Sequence, residues 1–331
     1  MARKLTILML VALIAACGPG GKPAPGATGP EAASAPILAM TFGTKGEKEG
    51  QLTQPFGVAV DGEGNIYVSD LKGVQKFDPR GRFLLTFSGE HLGFPRGLAV
   101  VTNGHAGFGV ELAKSTKERD RLSSQGNVYV ADLVNHAIVK FDSQGRFLAR
   151  FGREGEGAGE FRSPIDLTVD EEGNLYVVDQ GNYRIQKLDP QGNVLLTFGR
   201  RGQGNGEFMR PRGVAVDGEG NIYVTDLGYY LAQKFDPQGN YLGRVGWSHS
   251  GENMWLMRGI VVDGEGNIYL LDGLNHRIQK FDPQGRLLLE FGRPGKEAGE
   301  FQDPEGLAMD RQGNLYVADK GNHRIQKFSP R

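Results

Sequence analysis

Short apolar runs, each cut off by turn residues, recur along the chain, and residues 164–199 carry the pattern in full. Residues 165–169 are mainly apolar and run into Asp170, Glu171, Glu172, Gly173 and Asn174, a hairpin signal. Residues 175–178 are β-branched and aromatic in character and stop at Asp179. Residues 184–188 resume the pattern, and Asp189, Pro190, Gln191 and Gly192 turn it back. Pro190 presets the turn's φ, and Gly192 takes a positive φ without strain. Residues 194–198 close the unit. The pattern predicts four short antiparallel strands joined by three turns.

The unit repeats. The aspartate that ends its second strand recurs at Asp70, Asp132, Asp179, Asp226, Asp272 and Asp319, with spacings of 62, 47, 47, 46 and 47 residues. A fixed period in this range means a solenoid, a propeller or an array. Four strands per repeat select a propeller, because each small sheet must bury both faces against its neighbours. The predicted fold is all-β: a six-bladed β-propeller of four-stranded antiparallel blades.

The chain ends predict how the ring closes. The sixth repeat stops at Arg331, after its third strand. Leu38, Ala39, Met40, Thr41, Phe42 and Gly43 match residues 194–199, and Phe42 precedes Pro55 by 13 residues, as Phe198 precedes Pro211. The N-terminal strand is therefore expected to complete the last blade and remove an open sheet edge.

The recurring unit, P-x-G-[VIL]-A-V-D-x-x-G-N-[IL]-Y-V-x-D-x-x-N-x-R-I-Q-K-F, resembles the NHL repeat, and residues 304–328 follow it throughout, including Asn322, His323 and Arg324. The resemblance covers six repeats and implies a six-bladed propeller. It implies little about activity, since the fold hosts enzymes and binding platforms alike.

Residues 1–16 read as a lipoprotein signal peptide. Arg3 and Lys4 are followed by a ten-residue, largely apolar run, too short to span a bilayer, and then by Ala15, Ala16 and Cys17, the sole cysteine. The ending resembles a bacterial lipobox, which makes Cys17 the expected lipidation site and membrane anchor; an ordinary cleaved signal with an incidental cysteine is the alternative. Gly18 rather than Asp after the cysteine favours the outer membrane by resemblance to Gram-negative sorting. Residues 17–36 are rich in Gly, Pro and Ala and are expected to form a tether with a reach on the order of 25 Å. Residues 37–331 form the propeller. The expected localisation is the bacterial cell envelope.

Net charge is −1, and loss of Arg3 and Lys4 with the signal takes it to −3. That balance and export both argue against nucleic acid as a partner. The 51 glycines belong mostly to the turns.

Four repeats depart from the pattern, and in blade 1 the loop Leu71, Lys72 and Gly73 is two residues shorter and lacks the Asn-x-Arg pair. Blade 2 carries 22 extra residues between its first two strands, at about 102–125. The insertion begins in a Gly-rich segment expected to be flexible and continues with helix-forming composition but a poor amphipathic pattern. It reads as a solvated charged loop or a partner-binding arm. Blade 4 has Tyr229, Tyr230 and Leu231 where others carry Asn-x-Arg, and blade 5 lacks the opening proline.

His136, His276 and His323 share one loop slot that the repeat itself explains. Peptidyl-hydroxyglycine lyase, a similar propeller, places zinc histidines just after the proline that opens the innermost strand. Here those positions are Phe56, Arg96, Ile165, Arg212, Arg258 and Glu305, and none is histidine. No metal or cofactor is therefore expected. The Asp-Gly-Glu-Gly-Asn stretches at Asp61, Asp217 and Asp263 lack the glycine and the final carboxylate of a calcium loop and read as hairpin turns. The pairs Asp179 with Arg184, Asp272 with Arg277 and Asp319 with Arg324 read as loop staples.

Two sites remain. Arg96, Arg212, Arg258 and Glu305 recur at the axial end of the inner strands, where a basic ring suits an anionic ligand, or charged groups simply keep the channel mouth wet. Tyr229, Tyr230 and Trp255 with Arg212 and Arg258 have the composition of a binding hot spot, unless the aromatics merely pack on one another. The expected function is a non-catalytic platform for an envelope protein, peptide or glycan. The alternative is a hydrolase or lyase acting on an anionic substrate at the channel mouth.

Overall fold

The computed structural model describes residues 34–87, 89–102, 105–106, 126–228, 231–245 and 257–331. Within them, six antiparallel sheets are arranged in a ring. Blade 3 shows the plan, with strands Pro164–Val169, Leu175–Asp179, Arg184–Leu188 and Val194–Phe198 hydrogen-bonded in chain order. The first strand of every blade faces the axis and touches the first strands of both neighbours.

The last blade closes as expected. Its strands Gly306–Met309, Leu315–Asp319 and Arg324–Ser329 are completed by Ile37–Phe42, which pairs antiparallel with register Ile37↔Ser329 and Phe42↔Ile325. The closure joint repeats an ordinary one. Phe42 meets Phe77 of blade 1 at a ring separation of 4.9 Å, and Phe198 meets Phe235 across blades 3 and 4 at 4.9 Å.

The core consists of six apolar layers, one between each pair of neighbouring blades. The layer at the closure joins Val58 and Ile66 to Tyr316 and Ile325. Burying both faces is why the second strands are apolar without alternation: Ile66–Asp70 and Leu175–Asp179 are buried at every position. Each buried Val, Ile or Leu contributes roughly 1.5–3 kcal/mol, so the ring is held by side-chain burial between blades rather than by any single sheet.

The loop aspartates act as expected. Asp179 accepts Arg184 Nε at 2.7 Å, Asn182 Nδ2 at 2.9 Å and the Arg162 backbone N–H at 2.7 Å. Asp319 repeats this with Arg324 at 2.7 Å, while Arg277 sits 3.4 Å from Asp272 and also pairs with Glu290. The loop histidines bridge blades: His136 Nδ1 accepts the Ser163 N–H at 2.9 Å, and His276 Nδ1 accepts that of Asp303 at 3.0 Å.

Blade 2 corrects one expectation. The start of its insertion is not wholly irregular. His105–Ala106 forms a two-residue strand that turns back on Val101 and Thr102 along the axial edge of Pro95–Thr102. Residues 107–125 lie outside the described residues, as do residues 1–33 with Cys17.

Candidate functional site at the channel mouth

The inner strands begin with a proline in blades 2, 3 and 4, where the missing N–H costs the sheet nothing at a strand's first residue. One step later the register slips. Pro95 pairs with Asp132 and Leu98 with Val130, so strand one carries an extra residue at Arg96 and Gly97. The same irregularity falls at Arg212 and Gly213 and at Arg258 and Gly259. A bulge of this kind re-aims side chains at the rim of a closed sheet structure. It places all three arginines at one mouth of the central channel.

There they converge on one carboxylate. Arg96 Nη2 lies 2.5 Å from Glu305 Oε1, Arg212 Nη2 bonds the same oxygen, and Arg258 Nη1 lies 2.5 Å from Oε2. Arg258 also pairs with Asp303 at 2.6 Å, and Lys320 Nζ reaches Asp303 at 2.6 Å and Glu305 at 4.0 Å. Phe56 is the flat wall of the mouth: the Arg96 guanidinium stacks 4.1 Å from its ring centre, and Phe94 packs on it at 5.2 Å. Ile165, in the corresponding slot of blade 3, is buried in the layer between blades 3 and 4. The channel encloses a cavity of about 110 Å³ that runs from this charged mouth to an aliphatic end at Val60, Val100, Val169 and Met309.

Burial pushes the Glu305 carboxyl up, but Arg212, Arg258, Arg96 and Lys320 outweigh it and hold it below the usual carboxylate range. Burial lowers Arg96 and Arg212 from the usual guanidinium range against the pull of Glu305. Side-chain exposure of 11% for Arg96 and 16% for Arg212 leaves part of each guanidinium open to the channel.

One member of the site escaped the reading of the sequence. The residue after the arginine slot is glycine in five blades, Gly57, Gly97, Gly213, Gly259 and Gly306, and Asp166 in blade 3. The glycines allow close approach: a Cβ on Gly213 would lie 2.4 Å from the Arg258 carbonyl oxygen, and one on Gly306 2.3 Å from that of Phe56. Asp166 instead extends its carboxylate into the channel, beside Gly97, where a Cβ would meet Asp166 Oδ1 at 2.1 Å. Its Oδ2 accepts the Val214 N–H at 3.2 Å. Burial raises the Asp166 carboxyl to about 7 against the backbone N–H groups of Val214 and Leu167 and the charges of Arg212 and Arg96. A column-by-column alignment of the six repeats exposes this lone substitution.

Of the expected residues, Arg96, Arg212, Arg258 and Glu305 therefore form one cluster. Tyr229, Tyr230 and Trp255 lie outside the described residues. Among the described residues no group of three or more His, Cys, Asp or Glu side chains is placed to hold a metal ion.

Comparison with known proteins agrees with the architecture. The NHL repeat matches residues 301–328, and a family described as a 6-bladed beta-propeller matches residues 121–192. The protein is a six-bladed propeller whose last repeat, residues 301–328, matches the NHL repeat. It is 29% identical over 144 residues, 41% of the chain, to Protein brain tumor of Drosophila melanogaster, of which the match spans 11%. Among solved structures, a gluconolactonase from Xanthomonas campestris superposes with a TM-score of 0.58 at 17% identity, over 85% of this chain and 88% of that one. Virginiamycin B lyase from Staphylococcus aureus gives 0.56 at 12% identity, over 84% and 95%. At such identities the likeness is one of fold.

Proposed function

We propose that this protein is a membrane-anchored binding platform of the bacterial cell envelope, serving an envelope protein, peptide or glycan at the arginine-lined channel mouth. The observation that carries this reading is the clamping of Glu305 by Arg96, Arg212 and Arg258. The cations are already ordered by the fold, so a ligand meets a site that needs little rearrangement. Glu305 itself, held below the usual carboxylate range, is a weak base, which favours recognition over proton transfer. Tyr229, Tyr230 and Trp255 are further proposed contacts for the partner. Lipidation of Cys17 and the tether of residues 17–36 supply the anchor.

A second reading has one observation in its favour. Asp166, with its carboxyl near 7 beside two arginines, has the character of a general acid or base, and hydrolase or lyase chemistry on an anionic substrate would use it. The names of the lyase and gluconolactonase neighbours show that this fold accommodates such chemistry elsewhere.

A photo-crosslinking residue at the exposed Gln302, used in intact cells with mass spectrometry, tests the first reading. A defined envelope species should be captured by the wild type and lost when Arg96 and Arg212 are both replaced. Capture unaffected by those replacements would place recognition elsewhere. Turnover in a hydrolase and lyase screen that disappears with Asp166→Asn would establish the second. Replacing Cys17 by Ser should release the protein from membranes; unchanged retention would remove the anchor.

A further inference from the structure

The channel mouth holds more positive charge than its own carboxylates balance. Arg96, Arg212, Arg258 and Lys320 face Glu305 and Asp303, with Asp166 as the third acidic group. Even with Asp166 ionised, one cation is left over. Arg210, near Arg212, has Asp226 as its own counter-charge and leaves this balance unchanged. Largely buried guanidinium groups are costly unless a counter-charge meets them. The surplus is local. Arg258 is engaged by Asp303, the Pro304 carbonyl and Glu305. Among the described residues Arg96 and Arg212 each make one side-chain hydrogen bond, to Glu305, although a guanidinium carries five N–H donors. Their remaining donors border the channel.

We infer that this mouth is a receptor for a small organic monoanion, a carboxylate held between Arg96 and Arg212 beside the Phe56 ring. The inference rests on the binding-platform reading and names the chemistry of its ligand. Three features select a carboxylate over a phosphate. A single surplus cation matches one negative charge. A planar guanidinium presents paired donors at the spacing of carboxylate oxygens. The Asp166 carboxylate repels a second negative charge. Phe56, with Phe94 behind it, offers apolar surface to the carbon skeleton attached to the carboxylate.

Propionate, benzoate and inorganic phosphate, titrated into the purified full-length protein at pH 8 and followed by NMR, test this. Benzoate and propionate should bind saturably, benzoate more tightly, and phosphate more weakly than either. Arg212→Gln should weaken propionate at least about tenfold, the scale of one lost charge-assisted hydrogen bond. Replacing the exposed surface residue Arg80 by Gln should not. Because Arg212→Gln also loosens Glu305 and can impair folding, Asp166→Asn is the second arm: removing a repelling charge should tighten propionate several-fold. Phosphate binding tighter than propionate, equal affinity in Arg212→Gln, or no gain in Asp166→Asn would overturn the inference. None of those outcomes touches the crosslinking result, so the platform reading stands or falls separately.

Discussion

Arg96 and Glu305 are 209 residues apart in the chain and meet at 2.5 Å across the mouth of the channel. They belong to blades 2 and 6, which are not neighbours, so the contact spans blade 1. Arg212 reaches the same oxygen from blade 4, two blades away on the other side. One glutamate thereby ties together four of six blades at the axis, including blade 5 through Arg258.

Replacing Glu305 by Gln should therefore destabilise the whole ring. The change leaves three largely buried guanidiniums without their shared anion, a loss expected to cost about 3–5 kcal/mol at neutral pH. Because the folded Glu305 carboxyl lies below its usual 4.5, its contribution is present above that value and lost as pH falls through the lower, folded one. Denaturant unfolding should show a large wild-type advantage at pH 7 that shrinks in acid. An equally stable variant at pH 7 would deny the clamp any role in stability.

Asp166 works with the opposite sign. Its carboxyl is raised from 3.8 to about 7, so the folded protein binds the proton more tightly than the unfolded chain. Its contribution to stability is full below 3.8, declines as pH rises toward 7 and is lost above. Asp166→Asn should be more stable than wild type at pH 8, by roughly 4 kcal/mol at about 1.4 kcal/mol per unit. The gap should close toward pH 4. A gap independent of pH would show that Asp166 does not titrate in this range.

The loop staple of blade 3 offers a local test. Arg184→Ala removes bonds to Asp179 and to the carbonyls of Glu156, Gly157 and Glu160. In blade 4, where Leu231 stands in that place, burial raises the Asp226 carboxyl against the three backbone N–H groups on it. Arg184→Ala should lower stability by about 2–3 kcal/mol at pH 7, readable by denaturant unfolding. An equally stable variant would mean that the remaining bonds to Asp179 hold the loop without the arginine.

Ring closure depends on residues 37–43. Their deletion exposes Arg324–Ser329 as a free edge and removes Phe42 from Phe77. The truncated protein should aggregate and lose cooperative unfolding, as judged by light scattering and calorimetry. A soluble monomer of unchanged midpoint would show that the closing strand contributes no stability.

The propeller was legible from the sequence because its determinants are local and repeated. Apolar runs of four to six residues, turns at fixed offsets and a period of about 47 specify each blade, and the match of residues 38–43 to 194–199 specifies the closure. The candidate residues at the mouth were legible too, as members of one repeat slot. Their relationship was not. Arg96, Arg212, Arg258 and Glu305 are dispersed over 209 residues, and nothing in the spacing shows that Glu305 would be shared. That follows from ring geometry and from the bulges that turn these side chains to the axis.

Asp166 marks the boundary between the two kinds of information. Its identity as the lone exception among five glycines stands in the sequence, and so does the chemistry of a carboxylate. Its effect depends on blades 2 and 4: Gly97 makes room for the side chain, Val214 donates to it, and Arg96 and Arg212 bring charge. Local propensity and burial periodicity act within one repeat, so sequence alone determined the blades and their closure. Electrostatic balance at the axis sums over all six repeats at once, and only the tertiary structure decided it.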